Sequence, residues 1–227
     1  MGVMPEARGV PLGKRGDGKE RIAWASQVRE DRPGKPGTGN ILVTGKPGCG
    51  KTTLVLRVVE GLTEVGFKAG GFVTEEMRRG RSRIGFRVRD LAGGSEVLAH
   101  VERGGLPRVG RYGVDTEAFE RVALRSLRTD ERDVDLLVVD EIGRMELLSP
   151  SFRAFLPSLF DSPLPLLATV HAGGDPFTRG LMAREDVSVL RLSASNREEC
   201  IRMVREALLA ILGGGGVRAE PEGGTET

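Results

Sequence analysis

The sequence contains few cysteines, few aromatic residues and no long apolar run. Its two cysteines, Cys49 and Cys200, are too few for a disulfide framework, so we expect both to be free thiols. No apolar run approaches the roughly 18 residues that a membrane-spanning helix needs, and the first residues contain no apolar signal segment. Glu6 also argues against N-myristoylation. These absences predict a cytoplasmic protein without a membrane span.

The chain also lacks a strong charge of either sign. Its 34 basic and 32 acidic residues leave a net charge of +2. Such a balance creates no global field that would attract nucleic acid. It therefore disfavours a nucleic-acid-binding protein, although it leaves that class open.

Two terminal segments lack the pattern of a folded domain. Residues 1–39 are rich in glycine, proline and charge, and Trp24 is the one tryptophan of the chain. Residues 214–227 are similarly polar and glycine-rich. Neither segment can bury enough apolar surface to offset its ordering entropy. We therefore expect two disordered tails around one domain at residues 40–213.

Within that domain, strand-like and helix-like segments alternate. Apolar runs predict strands at residues 40–44, 135–140, 164–171 and 187–192. Apolar residues at helical spacing predict helices at residues 51–66 and 196–212, and Asn196 with Glu199 forms a capping-box pattern at the second. The alternation predicts an α/β fold of three layers with a mostly parallel sheet.

Residues 70–100 break this alternation. Three strand-like runs are separated there by turn clusters at residues 79–81 and 92–94. We expect an antiparallel meander added to the sheet beside the nucleotide-binding part. Simple alternation places three arginines on one face of its middle strand and three apolar residues on the other, namely Arg83, Arg87 and Arg89 against Ile84, Phe86 and Val88.

The segment VTGKPGCGKTT matches the phosphate-loop pattern GxxxxGK[ST] between a predicted strand and a predicted helix. Its glycines let backbone N–H groups approach phosphate oxygens. Lys51 is expected to reach the β- and γ-phosphates, and the Thr52 hydroxyl to bind Mg²⁺. The predicted nucleotide-binding residues here are Gly45, Lys46, Pro47, Gly48, Cys49, Gly50, Lys51, Thr52 and Thr53.

The segment LLVVDEIG supplies two acidic residues at the end of a buried strand. Asp140 is expected to bind Mg²⁺, because a carboxylate at such a position needs a cation or another partner. Glu141 can then polarise a water molecule aligned on the γ-phosphate, which favours hydrolysis. A glutamate directly after the Mg²⁺-binding aspartate is typical of the phosphate-loop proteins that activate water. In the sheets of these proteins, an extra strand lies between the loop strand and the acidic strand. We expect residues 164–171 to be that strand, with Thr169 or His171 as a γ-phosphate sensor.

Arginine residues commonly stabilise the charge that develops on a transferred phosphoryl group. Four candidates lie on segments that leave the expected site: Arg78, Arg83, Arg111 and Arg144. The single tyrosine, Tyr112, either stacks on a base or packs against the sheet. It precedes a helix that Asp115 is expected to cap.

The motifs TGKPGCGKTTL, GGFVTEEMRRGRSRIGFRVRDL, VGRYGVD, VVDEIGRMEL, SPSFRAF and ATVH occur in this order. In this combination the chain resembles the small nucleoside-triphosphatase family first described from thermophiles, known in animals as cancer-related nucleoside-triphosphatase. The resemblance covers residues 40–213. Lys46, Cys49 and the long N-terminal segment depart from the family pattern.

This resemblance implies a single-domain, monomeric, Mg²⁺-dependent hydrolase of ATP, GTP, CTP and UTP. It also implies a second nucleotide-binding segment made of Leu136, Leu137, Val138, Val139, Asp140, Glu141, Ile142 and Gly143.

Two other classes stay open. One is a small nucleotide or metabolite kinase in which RRGRSRIGFRVR is an arginine-rich lid, although no acceptor motif is visible. The other is a nucleoside-triphosphate-driven module whose arginine-bearing strand contacts nucleic acid.

Overall fold

The computed structural model describes residues 39–129, 133–172 and 175–214. The predicted N-terminal tail, with Trp24, lies outside the described residues apart from Gly39, and the predicted C-terminal tail lies outside them beyond Gly214. Among the helices that can be described, none is both long and apolar enough to cross a bilayer.

The centre of the fold is a sheet in which nine strands follow the order β5-β6-β4-β3-β2-β7-β8-β1-β9. Strands β2, β7, β8, β1 and β9 are neighbours in this order and pair in parallel. Strands β5, β6, β4, β3 and β2 are neighbours in this order and pair antiparallel. Because β8 lies between β1 and β7, the expected inserted strand is confirmed. The strands are β1 Asn40–Gly45, β2 Ala69–Arg79, β3 Ser82–Asp90, β4 Ser95–His100, β5 Arg108–Val109, β6 Tyr112–Val114, β7 Leu136–Ile142, β8 Leu166–His171 and β9 Val187–Leu192.

Helices cover both faces of this sheet, so the predicted three-layer α/β fold is confirmed. The helices are α1 Lys51–Thr63, α2 Thr116–Ser126, α3 Pro150–Phe160, α4 Pro176–Met182 and α5 Arg197–Gly214, with a short 3₁₀ turn at Glu146–Leu148. The apolar residues of α1 and α5 form one core with one face of the sheet. Those of α2, α3 and α4 form a second core on the opposite face.

An aromatic cluster anchors the second core. Phe72 from β2, Phe119 from α2 and Phe152 from α3 are fully buried, and their ring centroids lie 5.0–5.7 Å apart in edge-to-face contacts. Edge-to-face pairs at this distance add to the free energy of burial. The cluster therefore holds two helices on the strand that joins the two halves of the sheet.

Side-chain caps fix where helices α2 and α3 begin. Asp115 accepts a hydrogen bond from the Ala118 N–H at 2.9 Å, which confirms the predicted cap of α2. Ser149 caps α3 in the same manner. The predicted capping box at α5 is wrong, because the Asn196 side-chain oxygen accepts from the Ser193 N–H at 2.8 Å, in the turn before the helix.

The predicted antiparallel meander is confirmed as β2, β3 and β4, and it is continuous with the parallel part of the sheet. Strand β2 pairs in parallel with β7 and antiparallel with β3. One strand therefore belongs to both halves of the sheet. The short hairpin of β5 and β6 then extends the antiparallel half beyond β4.

The predicted face of Arg83 is wrong. The pairing of β2 with β3 shifts by one residue between Met77 and Arg78, which marks a β-bulge. A bulge reverses the side on which subsequent side chains point. Arg83 therefore shares a face with Glu76 and Phe86, while Arg87 lies on the opposite face.

The joint between β2 and β7 requires a glycine. Gly71 has φ 120°, and a Cβ atom there would lie 2.0 Å from the carbonyl oxygen of Val138. Both the backbone conformation and this close approach exclude a side chain. Gly71 therefore lets the shared strand lie against the acidic strand.

We expect Gly71→Ala to lower the free energy of unfolding by about 2 kcal/mol or more, because the added methyl group meets backbone and cannot be accommodated. Gly104→Ala is the matched control, since Gly104 has open space around it and no left-handed φ. Denaturant unfolding of both variants measures the difference. Equal stability of the two would contradict this account of the joint.

Candidate functional site: a phosphate loop facing strand-end carboxylates

The loop between β1 and α1 has a backbone that glycines permit. Gly48 and Gly50 have φ 75° and 102°. A Cβ atom at Gly45 would lie 2.5 Å from the Leu192 carbonyl oxygen and 2.7 Å from the Cys49 sulfur. Helix α1 begins at Lys51, directly after the loop. The Cys49 N–H donates to the Lys46 carbonyl oxygen within the loop. The start of the helix directs its own N–H groups and the positive end of the helix dipole towards one anion.

Asp140 is held at the end of β7 by two hydroxyl groups. Thr52 and Thr169 each donate a hydrogen bond of 2.5 Å, one to each oxygen of the carboxylate. Asp140 is only 1% exposed, and this burial raises its pKa to about 6. The two predicted Mg²⁺ ligands, Thr52 and Asp140, therefore lie side by side. Thr169, a predicted sensor, contacts Asp140 instead.

Lys51 and Glu141 face the same space. The Lys51 ammonium lies 3.2 Å from a Glu141 carboxylate oxygen, and its side chain is 8% exposed. A buried ammonium needs such a partner or an anionic ligand. The loop lysine and the predicted water-activating carboxylate thus form an ion pair beside the phosphate loop.

A cavity of about 670 Å³ connects these groups. It runs from the phosphate loop across the ends of β8 and β7 to β2, β3 and β5. Eight of the predicted nucleotide-binding residues line it: Pro47, Gly48, Gly50, Lys51, Thr52, Thr53, Asp140 and Glu141. The sequence motifs thus converge on one cavity of ligand size.

Other predicted nucleotide-binding residues lie elsewhere. Lys46 is exposed and does not line the cavity, and Cys49 is a buried free thiol whose sulfur packs against Gly45. Residues 136–139 are buried in the sheet core, where they position Asp140 rather than line the cavity. Ile142 and Gly143 line a neighbouring cavity of about 410 Å³, and His171 lines both.

The four arginine candidates fall into three different surroundings. Arg78 and Arg83 line the cavity, but both donate to Glu76. Arg111 lies outside it, over the ring of Tyr112. Arg144 lines both cavities, and within the described part of the chain it has no ion pair or hydrogen bond. Arg144 is therefore the candidate whose guanidinium is available to a ligand.

Glu146 also belongs to this site, although no sequence motif predicted it. Its carboxyl group is 3% exposed, lines the cavity and lies 3.3 Å from the Thr74 hydroxyl. A Cβ atom at Gly143 would lie 2.7 Å from a Glu146 oxygen and 2.8 Å from a Glu141 oxygen. Burial, followed by the charge of Glu141, raises the pKa of Glu146 to about 8. The available signal was an acidic residue inside the apolar run MELL, directly after the acidic strand.

The site offers oxygen donors of the kind that Mg²⁺ prefers. The Thr52 hydroxyl and the Asp140 carboxylate are adjacent, with Glu141 nearby. Among the described residues, no group of three histidine, cysteine or acidic side chains forms a complete metal cage. A magnesium site that is completed by substrate phosphates needs only one or two carboxylates. The donor set therefore fits a cation that binds together with a nucleotide.

Comparison with known proteins places this geometry in one family. The NTPase family matches residues 40–205 of the chain. Nucleoside-triphosphatase THEP1 of Thermotoga maritima is 40% identical over 168 residues, covering 74% of this chain and 94% of that protein. The same-named protein of Thermofilum pendens is 44% identical over 162 residues, covering 70% and 89%.

Solved structures show the same fold. The crystal structure of THEP1 from Aquifex aeolicus superposes with a TM-score of 0.67 at 31% identity, covering 74% of this chain and 98% of that one. The solution structure of a human cancer-related nucleoside triphosphatase gives a TM-score of 0.66 at 33% identity, covering 75% and 97%. Both likenesses extend over nearly the whole of the solved chains.

The buried carboxyl group of Glu146 predicts a pH-dependent stability. In the unfolded chain it titrates near its ordinary value of 4.5, whereas in the folded protein it keeps its proton up to about pH 8. Its contribution to stability is therefore complete below pH 4.5 and is lost as the pH rises towards 8. Glu146→Gln carries no titrating group at this position and should not show this loss. We therefore expect its free energy of unfolding, relative to that of the parent, to rise by about 1–3 kcal/mol between pH 5 and pH 9.

Thermal unfolding at pH 5, 7 and 9 in the presence of a chelator measures this difference. Glu185→Gln is the control, because Glu185 is exposed. The raised pKa of Glu146 would be contradicted if the difference in stability between Glu146→Gln and the parent were the same at all three pH values.

Proposed function

Because the chain belongs to the NTPase family, we propose that it is a monomeric, cytoplasmic, Mg²⁺-dependent enzyme that hydrolyses nucleoside 5′-triphosphates to diphosphate and phosphate. The family membership confirms the resemblance inferred from the sequence motifs. The observation that carries the proposal is the convergence of Lys51, Asp140 and Glu141 on one cavity beside the phosphate loop.

The phosphate loop supports binding of the triphosphate. Its backbone N–H groups and the start of α1 stabilise the α- and β-phosphates, and Lys51 neutralises the β- and γ-phosphates. Because these contacts involve only phosphates, they do not select a base. The sequence also contains no NKxD motif. We therefore propose that ATP, GTP, CTP and UTP are all substrates.

Thr52 and Asp140 are the residues that would hold Mg²⁺. The hydrogen bond between them keeps both oxygen donors in place, and the Thr169 hydroxyl fixes the second oxygen of Asp140. When bound, Mg²⁺ would neutralise charge on the phosphate oxygens. The role of Thr169 is therefore to orient the carboxylate.

Glu141 supports hydrolysis rather than binding alone. In the proposed reaction, a water oxygen attacks the γ-phosphorus and the bond to the β–γ bridging oxygen breaks. The Glu141 carboxylate orients the water and takes its proton. Glu141 is well placed because it follows Asp140 directly and lies beside Lys51.

We expect Glu141→Gln to lower kcat for phosphate release by about 10²-fold or more while nucleotide binding persists, because the amide keeps the shape and loses the base. Lys51→Ala is expected to lose both binding and turnover. Phosphate release from the four common triphosphates, with Mg²⁺ and no acceptor, measures the rate. Undiminished release by folded Glu141→Gln, or release only after an acceptor is added, would overturn the proposal in favour of another reaction.

Arg144 is proposed to stabilise the charge on the departing phosphoryl group. We expect Arg144→Ala to lower kcat by about 10²-fold with little change in KM, since the contact strengthens in the transition state. Arg111→Ala is the matched control and is expected to stay within about threefold of the parent. Steady-state kinetics of phosphate release give kcat and KM for both variants. Equal effects would show that Arg144 has no special part in turnover.

A further inference from the structure

The main cavity continues beyond the residues that hydrolysis uses. Six of its lining residues are Glu76, Arg78, Arg83, Phe86, Val109 and Met145, and the part of the cavity that they line is here called the outer lobe. All but Met145 come from the antiparallel half of the sheet. None of these six residues is needed to bind the triphosphate or to activate water in the proposed reaction.

We expect the base of the bound triphosphate to lie away from the outer lobe. The phosphate loop binds the α- and β-phosphates, and Lys51 with Glu141 marks the position of the γ-phosphate. The nucleoside therefore lies at the opposite end of the triphosphate from Glu141. A nucleophile attacks the γ-phosphorus opposite the leaving oxygen. Strands β2 and β3 lie on the far side of β7 from the loop strand β1. The outer lobe is therefore reached from the phosphate loop only beyond Asp140 and Glu141, which is the proposed side of attack.

The outer lobe has an ordered cationic wall. Arg83 donates to a Glu76 oxygen at 2.6 Å and to the Tyr112 hydroxyl at 3.1 Å. Arg78 donates to the other Glu76 oxygen at 2.6 Å. Two guanidinium groups thus share one carboxylate, so the cluster keeps a positive charge. Preorganised arginines of this kind bind phosphate and carboxylate groups well.

The same wall carries an aromatic surface. The Arg83 guanidinium lies over the Phe86 ring, 5.1 Å from its centroid, and the Tyr112 ring makes an edge-to-face contact with Phe86 at 5.2 Å between ring centroids. Phe86 lines the cavity and is only partly buried, so a flat ring can pack against the part of Phe86 that Arg83 and Tyr112 leave uncovered. Val109 and Met145 add apolar contact.

The β-bulge in the pairing of β2 with β3 creates this arrangement. Without the one-residue shift, Arg83 would point to the face that Arg87 occupies. With it, a guanidinium and an aromatic ring from the same strand face one cavity. Bulges often redirect side chains beside functional sites in this manner.

We propose that the outer lobe binds a second ligand, a small anion that carries a flat ring, of the class of nucleoside monophosphates. The ring stacks on Phe86, and the anionic group pairs with Arg83 and Arg78. This inference rests on the proposed function, because it places the ligand beside the γ-phosphate of the bound triphosphate. An occupant there hinders the approach of water and slows phosphate release.

The test is calorimetric titration with AMP and GMP while a non-hydrolysable triphosphate analogue and Mg²⁺ saturate the phosphate loop. We expect saturable binding that Arg83→Ala and Phe86→Ala each weaken about tenfold or more. Phe86→Leu is included in case the alanine variant is unstable, and it should weaken binding less. Arg87→Ala is the matched control on the opposite face of β3 and should bind like the parent.

Four outcomes would overturn the proposal. They are no binding in the millimolar range, equal binding by Arg83→Ala and Arg87→Ala, binding that occurs without the analogue but is abolished when the analogue is present, and binding by inorganic phosphate or adenosine alone that equals binding by AMP. Tighter binding of a single-stranded oligonucleotide than of AMP, also lost in Arg83→Ala, would assign the lobe to a nucleic-acid end instead.

Kinetics separate this inference from the proposed function. Phosphate release at saturating ATP is measured with and without AMP in the parent and in Phe86→Ala. We expect AMP to inhibit only the parent. A parent that does not release phosphate even without AMP refutes the hydrolase proposal, while the calorimetric result still decides the second ligand. Release that AMP leaves unchanged in the parent would place the ligand away from the attack side.

Discussion

The carboxylate of Asp140 is the constraint on which the rest of the site depends. It is buried at the end of β7 and would be costly there without the hydroxyl groups of Thr52 and Thr169. These two bonds connect the first turn of α1, the acidic strand and the inserted strand. They therefore fix the phosphate loop against the strand ends, and Lys51 and Glu141 come together as a consequence.

Much of this arrangement could be predicted because its signals are local. The phosphate-loop glycines, the apolar run before Asp140 and the alternation of strands and helices each depend on neighbouring residues. The inserted strand β8 followed from the acidic pair, and the meander followed from its turn clusters. The cap at Asp115 was visible from the helix that follows it.

What could not be predicted depends on contacts between distant segments. The face of Arg83 changed because a bulge shifts the register of two strands, and no local pattern shows such a shift. The burial of Glu146 follows from its packing near Thr74 and Gly143. The four arginine candidates looked alike in sequence and were separated only by their partners, of which Glu76 is the decisive one for two of them.

The sharing of β2 by both halves of the sheet has a mechanical consequence. Many enzymes that act on two ligands close one domain over another about a hinge. Here the strand that carries Thr74 and Glu76 is hydrogen-bonded directly to the strand that carries Asp140, and Gly71 makes that contact close. The two walls of the cavity are therefore parts of one hydrogen-bonded sheet, with no hinge between β2 and β7 about which one wall could open away from the other.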